Sequence, residues 1–329
     1  MVSIGYALSS EEHPARDLVA NAARAEEAGF SFALISDHFH PWIERQGHSA
    51  FVWSVLGAIA MATDRLQVGT GVTCPTVRIH PAIVAQAAAT VSTMMPGRFF
   101  LGVGTGENLN EHVLGDHWPT TEIRQEMLRE AVDVMRELWQ GSLTSRYGEY
   151  YVVEQAKLYT VPDVPPPIYI AASGTGSAAL AGDIGDGLCS TAPAAEVVEA
   201  FERAGGGGKP RIAMAHVSWA ESEAEGLRRA HEWWPNSALG GSLGQELRSP
   251  FDFEAATALV RPDDLAGSLP CGPDPEPILD EIRKYVDAGY DYVYLHQVGP
   301  DQGRFIDFCA RELLPRLEQA PARLCGRGE

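Results

Sequence analysis

Lysine is almost missing from this chain: among 329 residues it stands only at Lys157, Lys209 and Lys284, and nearly all other basic residues are arginine. Basic charge as a whole is scarce, with 25 Lys and Arg against 44 Asp and Glu and a formal net charge of −19. So acidic a chain argues against a non-specific nucleic-acid binder and against a protein held on anionic lipid. Long apolar runs are lacking too, none approaching the roughly 20 residues a spanning helix needs. The opening MVSIGYALSS has no basic n-region and reads as a first strand rather than a signal peptide, so a cytoplasmic protein is expected. The five cysteines (Cys74, Cys189, Cys271, Cys309 and Cys325) form no C-x-x-C. That spacing excludes a zinc finger and argues against a disulfide framework.

What is present is alternation. Short runs such as SIGYAL, FALIS, LQVGTGV, RFFLGVG, PIYIAAS, GLCST, RIAMAHVSWA and DYVYLHQ are separated by stretches with apolar residues at helical spacing. Strands alternating with helices mean a parallel sheet. Eight such units without a compositional break predict one (β/α)8 barrel over residues 1–317, with a flexible tail over 318–329. Segments 39–48, 105–122 and 236–273 are too long for minimal connections, and 143–160 alternates like a hairpin. Loops of that length in a compact domain are commonly lids or binding loops.

Barrel enzymes build their sites where strands end. The second strand ends in Ser36-Asp37-His38, the third in Thr70-Gly71-Val72 with Cys74 beyond, and the fourth in Gly104-Thr105-Gly106-Glu107. The later ends carry Ala172-Ser173-Gly174, Cys189-Ser190, His216 and His296. His38 beside a carboxylate suits general-base work, because imidazole titrates near the operating pH; a capping Asp37 with a structural His38 is the equal alternative. The glycines before Glu107 let backbone approach a flat ligand, or simply keep a barrel strand small. Their spacing is G-x-G-x-G with no helix expected at the last glycine, so this is not a dinucleotide fingerprint. Ser173 to Ser177 open a helix, and that turn is either a phosphate site or ordinary capping. His38 and His40 form an H-x-H that, with His48, His216 and His296, raises a zinc-hydrolase alternative; no lysine at a strand end supports it, and His216 and His296 read as packed histidines. Among the tryptophans, Trp42 in its Pro-containing loop is the one placed in a pocket.

Taken together, SDHFHPW, GTGVTCPT, FFLGVGTGENLNE, YIAAS and DQGRF resemble the F420-dependent glucose-6-phosphate dehydrogenase family of the luciferase-like barrels, from the first strand to about residue 317. The resemblance implies a deazaflavin, coenzyme F420, across the barrel mouth, with FMN as the alternative cofactor and a monooxygenase as the alternative activity. It implies contacts from Asp37, from a non-prolyl cis peptide at Gly71-Val72, from Gly106, Glu107 and Asn110, and from Ala172-Ser173-Gly174 to the phosphate of the cofactor tail. Cys74 stands where the family commonly has threonine. His38 would take the hydroxyl proton of an alcohol, Glu107 would supply a proton to the reduced ring, and Trp42 would pack over the reacting centre. The substrate departs from the pattern: where the family's two lysines, arginine and threonine hold a sugar phosphate, this chain has Pro193, a residue near Gly244, Ser268 and Ser190, with Arg248 the one nearby cation. An uncharged, partly apolar alcohol or carbonyl compound is therefore expected. A homodimer is expected from the resemblance alone.

Overall fold

The computed structural model describes residues 2–317 and 323–325. Its strands are β1 (Ser3–Leu8), β2 (Phe32–Ile35), β3 (Gln67–Thr70), β4 (Phe99–Val103), β5 (Thr144–Tyr147), β6 (Val152–Ala156), β7 (Ile168–Ala171), β8 (Gly187–Ser190), β9 (Arg211–Val217) and β10 (Tyr292–Gln297). Eight of them close a barrel in the order β1-β2-β3-β4-β7-β8-β9-β10, while β5 and β6 pair as the hairpin that the alternation in 143–160 predicts. Every barrel pairing is parallel. This is the (β/α)8 architecture the alternation predicts.

Period two along each strand sorts side chains between two cores. β1 sends Ile4, Tyr6 and Leu8 out to the helix layer and Ala7 into the barrel. Inside, aromatic rings fill the lumen and each lies on a glycine of the neighbouring strand. Phe32 is in register with Gly5, Phe100 with Gly69, and Tyr169 with Gly187. A Cβ on those glycines would come within 2.4, 2.1 and 2.3 Å of the rings, so the bulky layer exists only because its partners are bare.

The floor of the barrel is closed from the far end of the chain. Leu324 and Cys325 are buried with Phe32, Tyr169 and Ile212. Tyr169 donates its hydroxyl to the Leu324 carbonyl at 2.9 Å, and Leu324 N–H donates to Gln67 Oε1 at 2.9 Å. Of the tail expected to be flexible from residue 318, residues 318–322 and 326–329 lie outside the described residues. The described piece is packed, because an apolar residue there covers the aromatic layer.

At the opposite end, the long segment after β9 folds into short helices, among them Leu243–Glu246 and Pro250–Thr257. It is tied down over the barrel mouth: Asn108 Nδ2 donates to the Glu246 carbonyl at 3.0 Å, and the Phe253 ring meets Trp42 edge-on at 5.2 Å. Among the described residues, no helix is long and apolar enough to cross a membrane.

Candidate active site

The ends of the barrel strands enclose a cavity of about 540 Å³. All of the residues expected from the strand ends, namely Asp37, His38, Trp42, Gly71, Val72, Cys74, Gly106, Glu107, Asn110, Ala172, Ser173 and Gly174, line it. Among the described residues, no Lys or Arg does, whereas Glu11, Asp37, Glu107 and Glu111 do. Of the four positions that stand where the family holds a sugar phosphate, Ser190 and, beside Gly244, the uncharged Gln245 reach the wall, while Pro193 and Ser268 do not line it.

His38 is the centre of the arrangement. Its Nδ1–H donates to the His40 carbonyl at 3.2 Å, which fixes the tautomer and turns Nε2 into the cavity. Nε2 lies 3.3 Å from Glu11 Oε1 and 3.5 Å from Glu107 Oε2. These carboxyls are not equivalent. Burial pushes Glu11 up, but His38, the Ser36 hydroxyl, its own backbone N–H and the Ser9 hydroxyl outweigh it and hold Glu11 below the usual carboxylate range. Burial also pushes Glu107 up; His38 pulls it down, Glu11 pushes it up again and the Asn110 amide pulls it down, and the net direction is upward. Glu107 is 32% exposed, and that exposure is into the cavity. One imidazole nitrogen thus faces an ionised carboxylate and a second carboxyl that retains its proton more readily. The base and the acid expected from separate strand ends are in contact.

The loops that present these groups are pinned by side chains. Asn110 accepts through Oδ1 from the backbone N–H of Phe39 at 2.9 Å and of His40 at 3.1 Å, and its Nδ2 donates to Glu107 at 3.3 Å. A single turn of helix, Asn108–Glu111, makes this possible and corrects the expectation that no helix follows the glycine run. Gly106 turns the chain into it at φ +80°, and a Cβ there would stand 2.5 Å from Cys74 Sγ. The Cys74 thiol is buried against Thr76 Oγ1 at 2.9 Å, and burial pushes it well above its usual range, so it is a packed thiol. Trp42 sits 5.0 Å, centroid to centroid, from His38. Gln46 holds it there, accepting from the Trp42 N–H at 2.8 Å and donating to the Trp233 carbonyl at 2.9 Å.

Asp37 is locked from beneath. Thr73 donates its hydroxyl at 2.8 Å, and Arg78 donates to Oδ1 at 3.0 Å and to the backbone carbonyl at 3.2 Å. Arg78 also gives its backbone N–H to Glu111 Oε2 at 2.7 Å. A buried arginine between two buried carboxylates lets both stay under the cavity without isolated charge. Glu11, Arg78 and Glu111 were absent from the expected site. Glu11 follows the end of β1, so the strand-end rule that finds His38 and Glu107 reaches it as well. Nothing local marks Arg78, which acts through a loop rather than a strand end.

The remaining histidines do not assemble a metal site. His40 Nδ1–H donates to the Leu109 carbonyl at 2.8 Å, and His216 and His296 share a hydrogen bond between their Nδ1 atoms at 2.8 Å. Among the described residues, no group of three or more His, Cys, Asp or Glu side chains is placed to hold a metal ion.

The floor and far wall suit a flat ring with an anionic tail. The Gly71–Val72 peptide is cis and lies on the floor, with Gly104 packed so closely that a Cβ would stand 2.9 Å from Val72 Cγ2. Past it, the helix Thr175–Ile184 points its first turn at the cavity, and Gly174 and Gly176 leave open space around their Cα atoms. The free N–H groups of that turn favour a phosphate.

Residues 2–292 match the luciferase-like monooxygenase family. The chain is 36% identical over 329 residues to an F420-dependent glucose-6-phosphate dehydrogenase of Segniliparus rotundus, covering 96% of this chain and 98% of that one. It is 37% identical to one of Nocardia farcinica over 330 residues, with the same coverage. Among solved structures, an F420-dependent secondary alcohol dehydrogenase in complex with an F420-acetone adduct superposes with a TM-score of 0.88 at 32% identity, over 95% of this chain and 98% of that one. The chain belongs to the luciferase-like family of barrels, with F420-dependent dehydrogenases among its relatives.

Proposed function

We propose that this chain is an F420-dependent oxidoreductase that moves a hydride between a small uncharged alcohol, or the matching carbonyl compound, and the deazaflavin. The observation that carries the reading is the single nitrogen, His38 Nε2, held between Glu11 and Glu107 in a cavity with no lysine or arginine among the described residues of its walls. When bound, the deazaflavin supplies a ring carbon that exchanges hydride and does not readily activate oxygen. Gly71-Val72, Gly104 and Gly106 would form its bed, and Ala172-Ser173-Gly174 with the following helix turn would take its phosphate. The remaining chemistry belongs to side chains. Nε2 of His38 takes the hydroxyl proton as the alcohol carbon is oxidised, and Glu11 stabilises the resulting imidazolium. Glu107 stores a proton at its Oε2, 3.5 Å from the same nitrogen, so a proton can pass between base and acid without crossing solvent. Trp42 and the tied-down segment over the mouth exclude water.

A sugar phosphate is a poor fit, because a dianion beside four carboxyls would find no lysine or arginine among the described residues of the wall. Oxygenation with FMN is the weaker reading, since an acid and a base in contact serve the proton traffic of an alcohol–ketone couple. We also place the working form as a cytoplasmic homodimer, which sedimentation and cell fractionation test. The deciding experiment is a parallel fluorescence titration of the purified chain with F420 and with FMN. Binding of F420 followed by F420 reduction with propan-2-ol or butan-2-ol is expected, and binding of FMN alone overturns the reading. His38→Ala should bind F420 normally and lose turnover; surviving turnover would remove His38 as the base.

A further inference from the structure

The turn after β1 carries two consecutive acids, and the second takes no part in the proton chemistry of His38. The Glu12 side chain is fully buried. Its Oε1 accepts the backbone N–H of Gly299 at 2.8 Å, and its Oε2 accepts from His296 Nε2 at 2.6 Å. With Nε2–H committed, His296 meets His216 through Nδ1 on both rings at 2.8 Å, their Cα atoms being in register across β9 and β10. A hydrogen bond between two Nδ1 atoms holds one proton, so the two tautomers are coupled. Burial and His296 depress His216 to about 3, which keeps that ring neutral. Trp234 completes the group, its ring 4.5 Å from His296 and 5.3 Å from His216. Behind, Trp234 packs with Ala230, Leu265, Leu269 and Val298; in front, Trp234 and His296 line the cavity.

We infer that Glu12, His296 and His216 form a positioning chain that sets Trp234 as the wall of the substrate subsite, so that this wall selects the size of an uncharged alcohol. A buried carboxylate is a costly way to fill space, and an apolar residue would pack a core at less expense. What the carboxylate adds is direction: it fixes the tautomer of His296, which fixes His216, and the two rings set the tilt of the indole. Both nitrogens of His296 are engaged, so that ring offers the cavity its carbon edge. Glu11 and Glu12 therefore divide the labour of one turn, the first serving the base and the second the wall. The inference rests on the oxidoreductase reading, and its test keeps the two apart.

The test compares wild type with His216→Phe, which keeps an aromatic ring and loses Nδ1, and with the milder Glu12→Gln. F420 affinity, by fluorescence titration, should be unchanged in both variants. With propan-2-ol, butan-2-ol and pentan-2-ol as probes, KM should rise about tenfold in His216→Phe while kcat changes less than about threefold, and the preference among the three should flatten. A role in stability alone would lower the melting temperature and leave KM and preference intact, which overturns the inference. So does a fall in kcat at constant KM. The second measurement needs neither cofactor nor substrate. In 15N-histidine-labelled wild type, an imidazole N–H proton shared by the two rings should be shifted downfield and slow to exchange, and absent from His216→Phe. If the wild type binds F420 but oxidises none of the probes, the substrate reading fails and this proton still decides the chain; rapid exchange at both rings overturns it.

Discussion

Replacing Glu107 by glutamine should stabilise the protein while removing its activity, and the stabilisation should appear only on one side of a pH window. Burial, with Glu11 nearby, raises the Glu107 carboxyl above its ordinary value of 4.5. Below that value the group is protonated in the folded and unfolded chain alike, and it costs nothing. As pH rises through the window, the unfolded chain releases its proton first, so stability falls until the folded carboxyl is also ionised. Glutamine has nothing to release and can still accept from Asn110, which now donates to Glu107 Oε2 at 3.3 Å. The direction follows from burial, and about 1 kcal/mol, the order by which a single perturbed and partly exposed carboxyl changes stability, is the scale the assay must resolve. For a chain of this size the gain is about 2 °C in melting temperature at pH 8, vanishing near pH 4. Differential scanning fluorimetry of the cofactor-free protein from pH 4 to 8 reads it directly. An equal change in melting temperature at all pH values, or a loss at pH 8, would refute the strained-acid reasoning.

Other perturbations separate the parts of the site. Glu11→Gln removes the carboxylate 3.3 Å from His38 Nε2 and should lower kcat/KM about 30-fold, near 2 kcal/mol, with F420 affinity unchanged in a fluorescence titration. Arg78→Met leaves Asp37 and Glu111 buried without their cation and should cost about 4 kcal/mol in urea unfolding, more at pH 8 than at pH 5 because Glu111, raised chiefly by burial, can protonate. Gly106→Ala, with φ at +80° and Cys74 in the way, should cost about 2 kcal/mol and displace Glu107, seen as lost turnover before lost folding. Deleting residues from 323 onward uncovers the aromatic floor and removes the Leu324 hydrogen bonds to Tyr169 and Gln67, and should cost about 3 kcal/mol by the same unfolding assay.

The barrel was legible because its signal is repeated: each unit shows a short apolar run and then a helical period, and no single unit has to be read correctly. The site was legible where it obeys the strand-end rule, which located His38, Glu107 and Gly71-Val72; that the peptide between the last two is cis was what the family resemblance implied. It was hidden where function depends on what meets across the mouth. Glu11 and Glu107 leave β1 and β4, which are not neighbours in the barrel, and converge on one nitrogen from β2. Spacing along a chain carries no information about that convergence, so the sequence suggests an acid and a base on separate strands while the fold makes them partners. The glycines give the converse lesson. Gly69 and Gly104 look alike in sequence, yet one makes room for Phe100 inside the barrel and the other for Val72 on the cavity floor. A bare position marks where something must come close; only the closed barrel says whether that something is core or ligand bed. The same holds for the consecutive acids Glu11 and Glu12, which are both buried, each against its own histidine. Two adjacent carboxylates taken out of water are tolerable only because the turn splits them between β2 and β10. That division predicts that exchanging either partner histidine for an apolar residue will be felt at its own carboxylate and not at the other.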